Sequence, residues 1–102
     1  MAKHVTFMKM KAKPGKVNDI RKLMNTEEDQ ERLKKAGFQY SVMGTSKNDP
    51  NTVWGAVTWD TSERYYKNAE SPAQNTDYEK MRSMLTEDPE WFDCDVVDEM
   101  GA

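Results

Sequence analysis

The sequence predicts an α+β fold of order β-α-β-β-α-β, the ferredoxin-like split βαβ arrangement with one antiparallel sheet, and three observations carry that reading. Four stretches alternate with the period of a strand, and two regions space apolar residues as a helix does. These six segments follow one another as strand, helix, strand, strand, helix, strand. The length, 102 residues, suits one domain over positions 1–102 and leaves no room for a separate cofactor-binding domain.

From His4 to Ala12, Thr6, Met8 and Met10 fall on one side and Val5, Phe7, Lys9 and Lys11 on the other, and Pro14-Gly15 ends the strand. Val17, Ile20 and Met24 recur as a helical stripe, after which the polar run from Asn25 to Arg32 predicts a bend or restart. Thr26-Glu27-Glu28-Asp29 fits a capping box for a second helical segment carrying Leu33 and Ala36 inward, with Gly37 as its C-cap. Phe38, Tyr40 and Val42 alternate with Gln39, Ser41 and Met43 in strand two, and Lys47 to Asn51 reads as a loop. Strand three places Val53, Val57 and Trp59 on one face and Trp54, Ala56 and Thr58 on the other, so both faces carry large apolar groups.

Asp60-Thr61-Ser62-Glu63 caps a short helix through Ala69, and Ser71-Pro72 supplies an N-cap and first-turn proline for a helix with Tyr78, Met81 and Leu85 on one face. Asp88-Pro89 stops that helix, and Trp91 to Met100 reads as the last strand. Phe92, Cys94 and Val96 then share a face opposite Asp93, Asp95 and Val97. This topology sets strand four beside strand one, which predicts attraction between Lys9 and Lys11 and the facing Asp93 and Asp95.

Composition excludes several functions. Apolar residues make up 36% and charged residues 32%, so a thin core would gain from burial against a second copy, and a homodimer is expected. A net charge of −3 gives no electrostatic footprint for nucleic acid. No apolar run approaches the roughly 18 residues of a membrane span. One cysteine, Cys94, rules out an intrachain disulfide and a Cys-based zinc site. The opening Met-Ala-Lys-His lacks the apolar stretch of a signal peptide, so a cytoplasmic location is expected.

Lys11-Ala12-Lys13-Pro14-Gly15-Lys16, Val57-Thr58-Trp59-Asp60-Thr61-Ser62-Glu63, and Ser71-Pro72 through Asp88-Pro89-Glu90-Trp91 together resemble the antibiotic-biosynthesis monooxygenase domain of the dimeric α/β-barrel superfamily. The likeness covers nearly the whole chain. It implies a homodimer whose two sheets face each other, with a pocket in each subunit between sheet and helices. It also implies a small-molecule ligand, and in some members cofactor-independent oxygenation of electron-rich aromatic or enolic substrates. Of the residues linked with that activity, a Trp ending strand three and a Tyr in the next helix match Trp59 and Tyr65, whereas the position of a supporting Asn is Gly55. The haem-degrading branch uses an axial His from a helix, and the one histidine here, His4, lies on strand one.

Cofactor-independent oxygenation needs a flat apolar slot and one or two polar groups that hold an anionic oxygen. Trp59 and Tyr65 are the candidate catalytic residues, and Phe38, Tyr66, Met81 and Arg82 the candidate substrate-binding ones, with Tyr40 a further wall. Against this, large aromatics at such spacing serve equally as core, and Arg82 as a solvated helix residue. Trp54 and Trp91 read as dimer or core residues. His4 has the chemistry of a base, but its position favours a partly exposed residue near a mobile terminus. Asp93, Asp95, Asp98 and Glu99 lack the spacing of a metal loop, and Cys94 reads as a buried inert thiol. No metal and no cofactor is expected. The alternative function is a non-catalytic ligand-binding or stress-associated dimer.

Overall fold

The computed structural model describes residues 2–23 and 27–101, without the side chains of Glu27 and Glu28. Its elements are β1 (His4–Lys11), α1 (Val17–Leu23), α2 (Glu27–Ala36), β2 (Phe38–Ser46), β3 (Asp49–Trp59), α3 (Ser62–Ala69), α4 (Pro72–Ser83) and β4 (Glu90–Asp95). The strands form one antiparallel sheet in the order β2-β3-β1-β4, the ferredoxin-like arrangement. The capping box proposed at Thr26, and Met24 of the first helical stripe, lie outside the described residues. No described helix is long and apolar enough to cross a membrane.

Alternation along β1 decides what lies where. His4, Thr6, Met8 and Met10 are buried beneath the helices, while Phe7, on the opposite face, is 47% exposed. Met8, Met10 and Ala12 meet Ile20 of α1, Val53 of β3, and Met81 and Leu85 from the α4 end in a buried core, with Val17, Val57 and Tyr78 packed around it. Gly37 has φ +117, a left-handed conformation that a side chain disfavours, and it closes α2 as the sequence predicts. Thr61 caps α3 by accepting from the Arg64 N–H at 3.2 Å, and Ser71 caps α4 by accepting from the Gln74 N–H at 3.2 Å.

The other face of the sheet is uncovered. It presents Phe7, Val42, Trp54 and Phe92, each at least 47% exposed, with Lys9 Nζ lying 5.0 Å from the Trp54 ring centre. Cys94 shares that face with Phe92 and is exposed in the protomer, against the expectation of a buried thiol, because no helix crosses that side.

Four further expectations change. Thr6 pairs with Asp93 and His4 with Asp95, so the two aspartates face the helices, and Lys9 lies opposite Glu90 instead. The predicted Lys–Asp attraction across strands therefore does not form. β4 ends at Asp95, and the chain beyond is tied back by the Val96 N–H donating to the Lys3 carbonyl at 2.8 Å. The loop predicted from Lys47 to Asn51 contracts to a turn at Lys47 and Asn48, since Asp49 already pairs with Ser46. A register shift between Phe38 and Tyr40 puts Phe38 under the helices with Trp59 and turns Tyr40 to the uncovered face, separating two residues that simple alternation groups together.

Candidate functional site

The register of β1 and β3 sets His4 directly beside Trp59 at one end of the sheet. α3 begins at Ser62, three residues beyond Trp59, so its first turns pass over this end and bring Ser62, Tyr65 and Tyr66 onto His4. Tyr65 stacks on the imidazole with ring centres 4.2 Å apart and planes inclined by 19°. Tyr66 meets the same imidazole edge-on at 5.6 Å. Trp59 meets Tyr65 edge-on at 5.8 Å, and Phe38 meets Trp59 at 6.0 Å. The four aromatic candidates Phe38, Trp59, Tyr65 and Tyr66 thus form one continuous ring cluster around a histidine.

A polar chain runs through the cluster, and the donor inventory fixes its direction. Thr6 Oγ1 lies 2.8 Å from Asp93 Oδ1, and an ionised carboxylate only accepts, so the single Thr6 proton goes to Asp93. Thr6 Oγ1 must then accept at its 2.6 Å contact with His4 Nε2, which places the imidazole proton on Nε2. Nδ1 is left with a lone pair and accepts from the Ser62 hydroxyl at 2.8 Å. The Tyr66 phenol donates to Asp93 Oδ2 at 3.0 Å. His4 Nε2 lies 3.7 Å from Asp93 Oδ1.

Both phenols are held above the ordinary tyrosine range. For Tyr65 burial is the main cause, opposed by the Thr6 hydrogen bond and aided by the Asp93 charge. For Tyr66 the hydrogen bond to Asp93 dominates, with burial and the charges of Asp93 and Asp95 adding to it. A neutral phenol is therefore favoured at both positions. Two buried polar atoms here have no partner among the described residues, the Trp59 indole N–H and Asp60 Oδ1. A buried donor left unpaired costs about 1–3 kcal/mol, so the Trp59 N–H marks a place where an acceptor would be stabilised.

The structure separates the remaining candidates from this cluster. Met81 belongs to the central core, and Arg82 donates to Asp88 Oδ1 at 2.7 Å and to the Leu85 carbonyl at 3.4 Å. Leu85 bridges to Ala12, so the last turn of α4 with Arg82 sits beside the far end of β1 from His4 and apart from the ring cluster. Tyr40 lies on the uncovered face and donates to Glu99 at 2.8 Å. An open cleft of about 720 Å³ adjoins it, lined by Lys3, Tyr40 and Asp98–Gly101.

His4 is 1% exposed, contrary to its reading as a residue near a mobile terminus. Sequence reasoning also gave no site role to Thr6, Ser62 or Asp93. The signal was present, since extending the stripe of Thr6, Met8 and Met10 back by two residues puts His4 on the buried face. Gly55, where the resemblance leads one to look for Asn, faces Met8. A Cβ at Gly55 would collide with the Met8 side chain, so Met8 fills the space an Asn would need.

No protein-family model matches this sequence, and no curated protein matches it. Solved structures do. A dimeric ferredoxin-like protein from an uncultured marine organism matches with a TM-score of 0.79 at 18% identity, over 100% of this chain and 94% of that one. A candidate antibiotic biosynthesis monooxygenase from Nitrosomonas europaea gives 0.78 at 14% identity, over 98% and 95%. A variant of SnoaB, described as a cofactor-independent oxygenase from Streptomyces nogalater, gives 0.75 at 8% identity, over 100% of both chains. At such identities the likeness is one of fold. This chain has the ferredoxin-like fold found in proteins described as antibiotic biosynthesis monooxygenases.

Proposed function

We propose that the protein is a homodimeric, cofactor-independent oxygenase of electron-rich phenols or enols, with Trp59 and Tyr65 at its site. The observation that carries this reading is the ring cluster of Phe38, Trp59, Tyr65 and Tyr66, which joins an unpaired buried indole N–H to a buried imidazole of fixed tautomer. The exposed Tyr66 ring offers a flat substrate a surface to stack on, and the buried Trp59 N–H, reached as the rings part, is a donor suited to an anionic oxygen. Loss of the substrate's proton raises the energy of its π electrons, which then reduce dioxygen. A carbon–oxygen bond forms, and the resulting hydroperoxide at a CH position eliminates water to leave a carbonyl. One dioxygen is consumed, with one oxygen atom in the product and one in water.

The uncovered sheet face supports the dimer, and the neighbour described as dimeric has the same fold. Two sheets packed through Phe7, Val42, Trp54 and Phe92 would form an interface in the obligate range, above about 2,000 Å² in total. The close packing of the four rings also supports a second reading, a dimer that binds a small aromatic ligand without chemistry. Oxygen uptake separates the two. Protein purified without added cofactor, offered a panel of tricyclic phenols, should consume one dioxygen per carbonyl formed. Tight binding with no uptake across the panel would establish the ligand-binding reading instead.

A further inference from the structure

We propose that His4 is the proton acceptor of this site and that the Ser62 hydroxyl is the group through which a phenol or enol delivers its proton to it. The proposal rests on the reading of the site as one that takes phenols or enols. It deepens that reading by naming the base, which neither Trp59 nor Tyr65 supplies.

His4 cannot touch a substrate directly. It is 1% exposed, one face is covered by Tyr65, and Nε2 is engaged by Thr6. Its remaining basic atom, Nδ1, is reached at 2.8 Å by Ser62 Oγ, which belongs to a half-buried residue in the first turn of α3. A substrate hydroxyl bonded to Ser62 Oγ gives its proton to that oxygen as the Ser62 proton moves to Nδ1. One substrate O–H bond breaks and one N–H bond forms. The electron pair stays on the substrate oxygen, leaving a phenolate beside an imidazolium, and the serine hydroxyl is regenerated.

The surroundings of His4 stabilise that imidazolium. Asp93 Oδ1 is 3.7 Å from Nε2 and is also linked to it through the Thr6 hydroxyl. The stacked Tyr65 ring presents its negative π face to the cation. Among the described residues, the titratable groups that face His4 are Asp93 and its cross-strand partner Asp95 on β4, and Tyr65 and Tyr66 on α3, while β3 contributes Trp59. Asp93 and Asp95 carry charge opposite to that of an imidazolium. A further apolar residue at position 4 would continue the Met8 and Met10 stripe without burying any polar group, and the chain instead places there a base with a complete set of partners.

The sole histidine makes the test direct, since a nitrogen-labelled imidazole gives one pair of NMR signals from the whole dimer. The probe is 2-naphthol, added at about pH 8, where the free probe is un-ionised and an ordinary imidazole is neutral. Binding should produce the naphtholate absorption band and move both His4 nitrogen signals to imidazolium positions. In the free protein they should report the Nε2–H tautomer that the Thr6 contact requires. Ser62→Ala should bind the probe but lose the band, with the His4 signals unmoved. Bound probe that shows no naphtholate band, a band that appears without any movement of the His4 signals, or an undiminished band in Ser62→Ala would each overturn the role of His4 while leaving the phenol site standing. Failure of the probe and of the tricyclic phenols to bind at all would remove both the site and its base.

Discussion

Thr6 is the side chain on which the geometry of the cluster depends. Its hydroxyl donates to Asp93 and accepts from His4 Nε2, linking carboxylate to imidazole at a buried position where water has little access. Thr6→Val keeps the shape but removes both of those bonds, leaving the His4 Nε2–H unpaired. The expected loss is about 1–3 kcal/mol in urea denaturation, whereas Thr6→Ser, which retains the hydroxyl, should lose clearly less. Equal losses in the two variants would show that only the methyl group matters. The phenols give a second test. Since Tyr65 and Tyr66 hold their protons more tightly when folded, their contribution is intact below the ordinary tyrosine pKa of about 10 and is lost as pH rises through the folded values. Stability should therefore fall with pH above about 10, and Tyr65→Phe should flatten that decline. None of this network was legible from residue types alone, because it joins positions 4, 6, 62 and 93, which only the strand register brings together.

Among the elements, capping residues were the most readable. Thr61, Ser71-Pro72 and Gly37 each act through a local backbone requirement, and each stands where the sequence places it. Gly37 combines two such requirements, a left-handed φ of +117 and a close approach to Asp60, whose carboxylate a Cβ would strike. Gly37→Ala should thus cost about 1–3 kcal/mol of stability, read as a drop in Tm, and a neutral outcome would mean that the α2–β2 junction can rebuild without left-handed backbone. The bulge at Phe38 was not readable, because it answers to the tertiary demand that Phe38 reach Trp59 while Tyr40 stays on the far face. Arg82 failed for a similar reason. Arg82 stands in the last turn of α4, and helix direction carries that turn to the Ala12 end of β1.

At the scale of the whole molecule, the two apolar faces of β3 lead to the proposal of a second layer beyond the helices, and the uncovered sheet face carries the exposed residues it would cover. Phe92 is central to this prediction, since it lies opposite Phe7 on the adjacent strand and is 51% exposed in the protomer. Phe92→Asp should convert a sedimenting dimer to monomer while leaving the far-ultraviolet circular dichroism of the sheet in place. A wild-type monomer at micromolar concentration would contradict the dimer outright. The same division into faces gives the sharpest comparison for the proposed activity, because two tryptophans on one strand fall on opposite sides of it. Trp59 touches Tyr65 in the cluster, and Trp54 lies on the uncovered sheet face under Lys9. The decisive measurement is oxygen uptake with a turned-over tricyclic phenol by the wild type, Trp59→Phe and Trp54→Phe, each normalised to folded dimer. The account predicts that Trp59→Phe lowers kcat by about 10²-fold with little change in Tm, in line with loss of one donor to a developing anion, while Trp54→Phe keeps the wild-type kcat. Equal turnover in all three proteins, or a loss in Trp59→Phe that only tracks its unfolding, would contradict a site at Trp59.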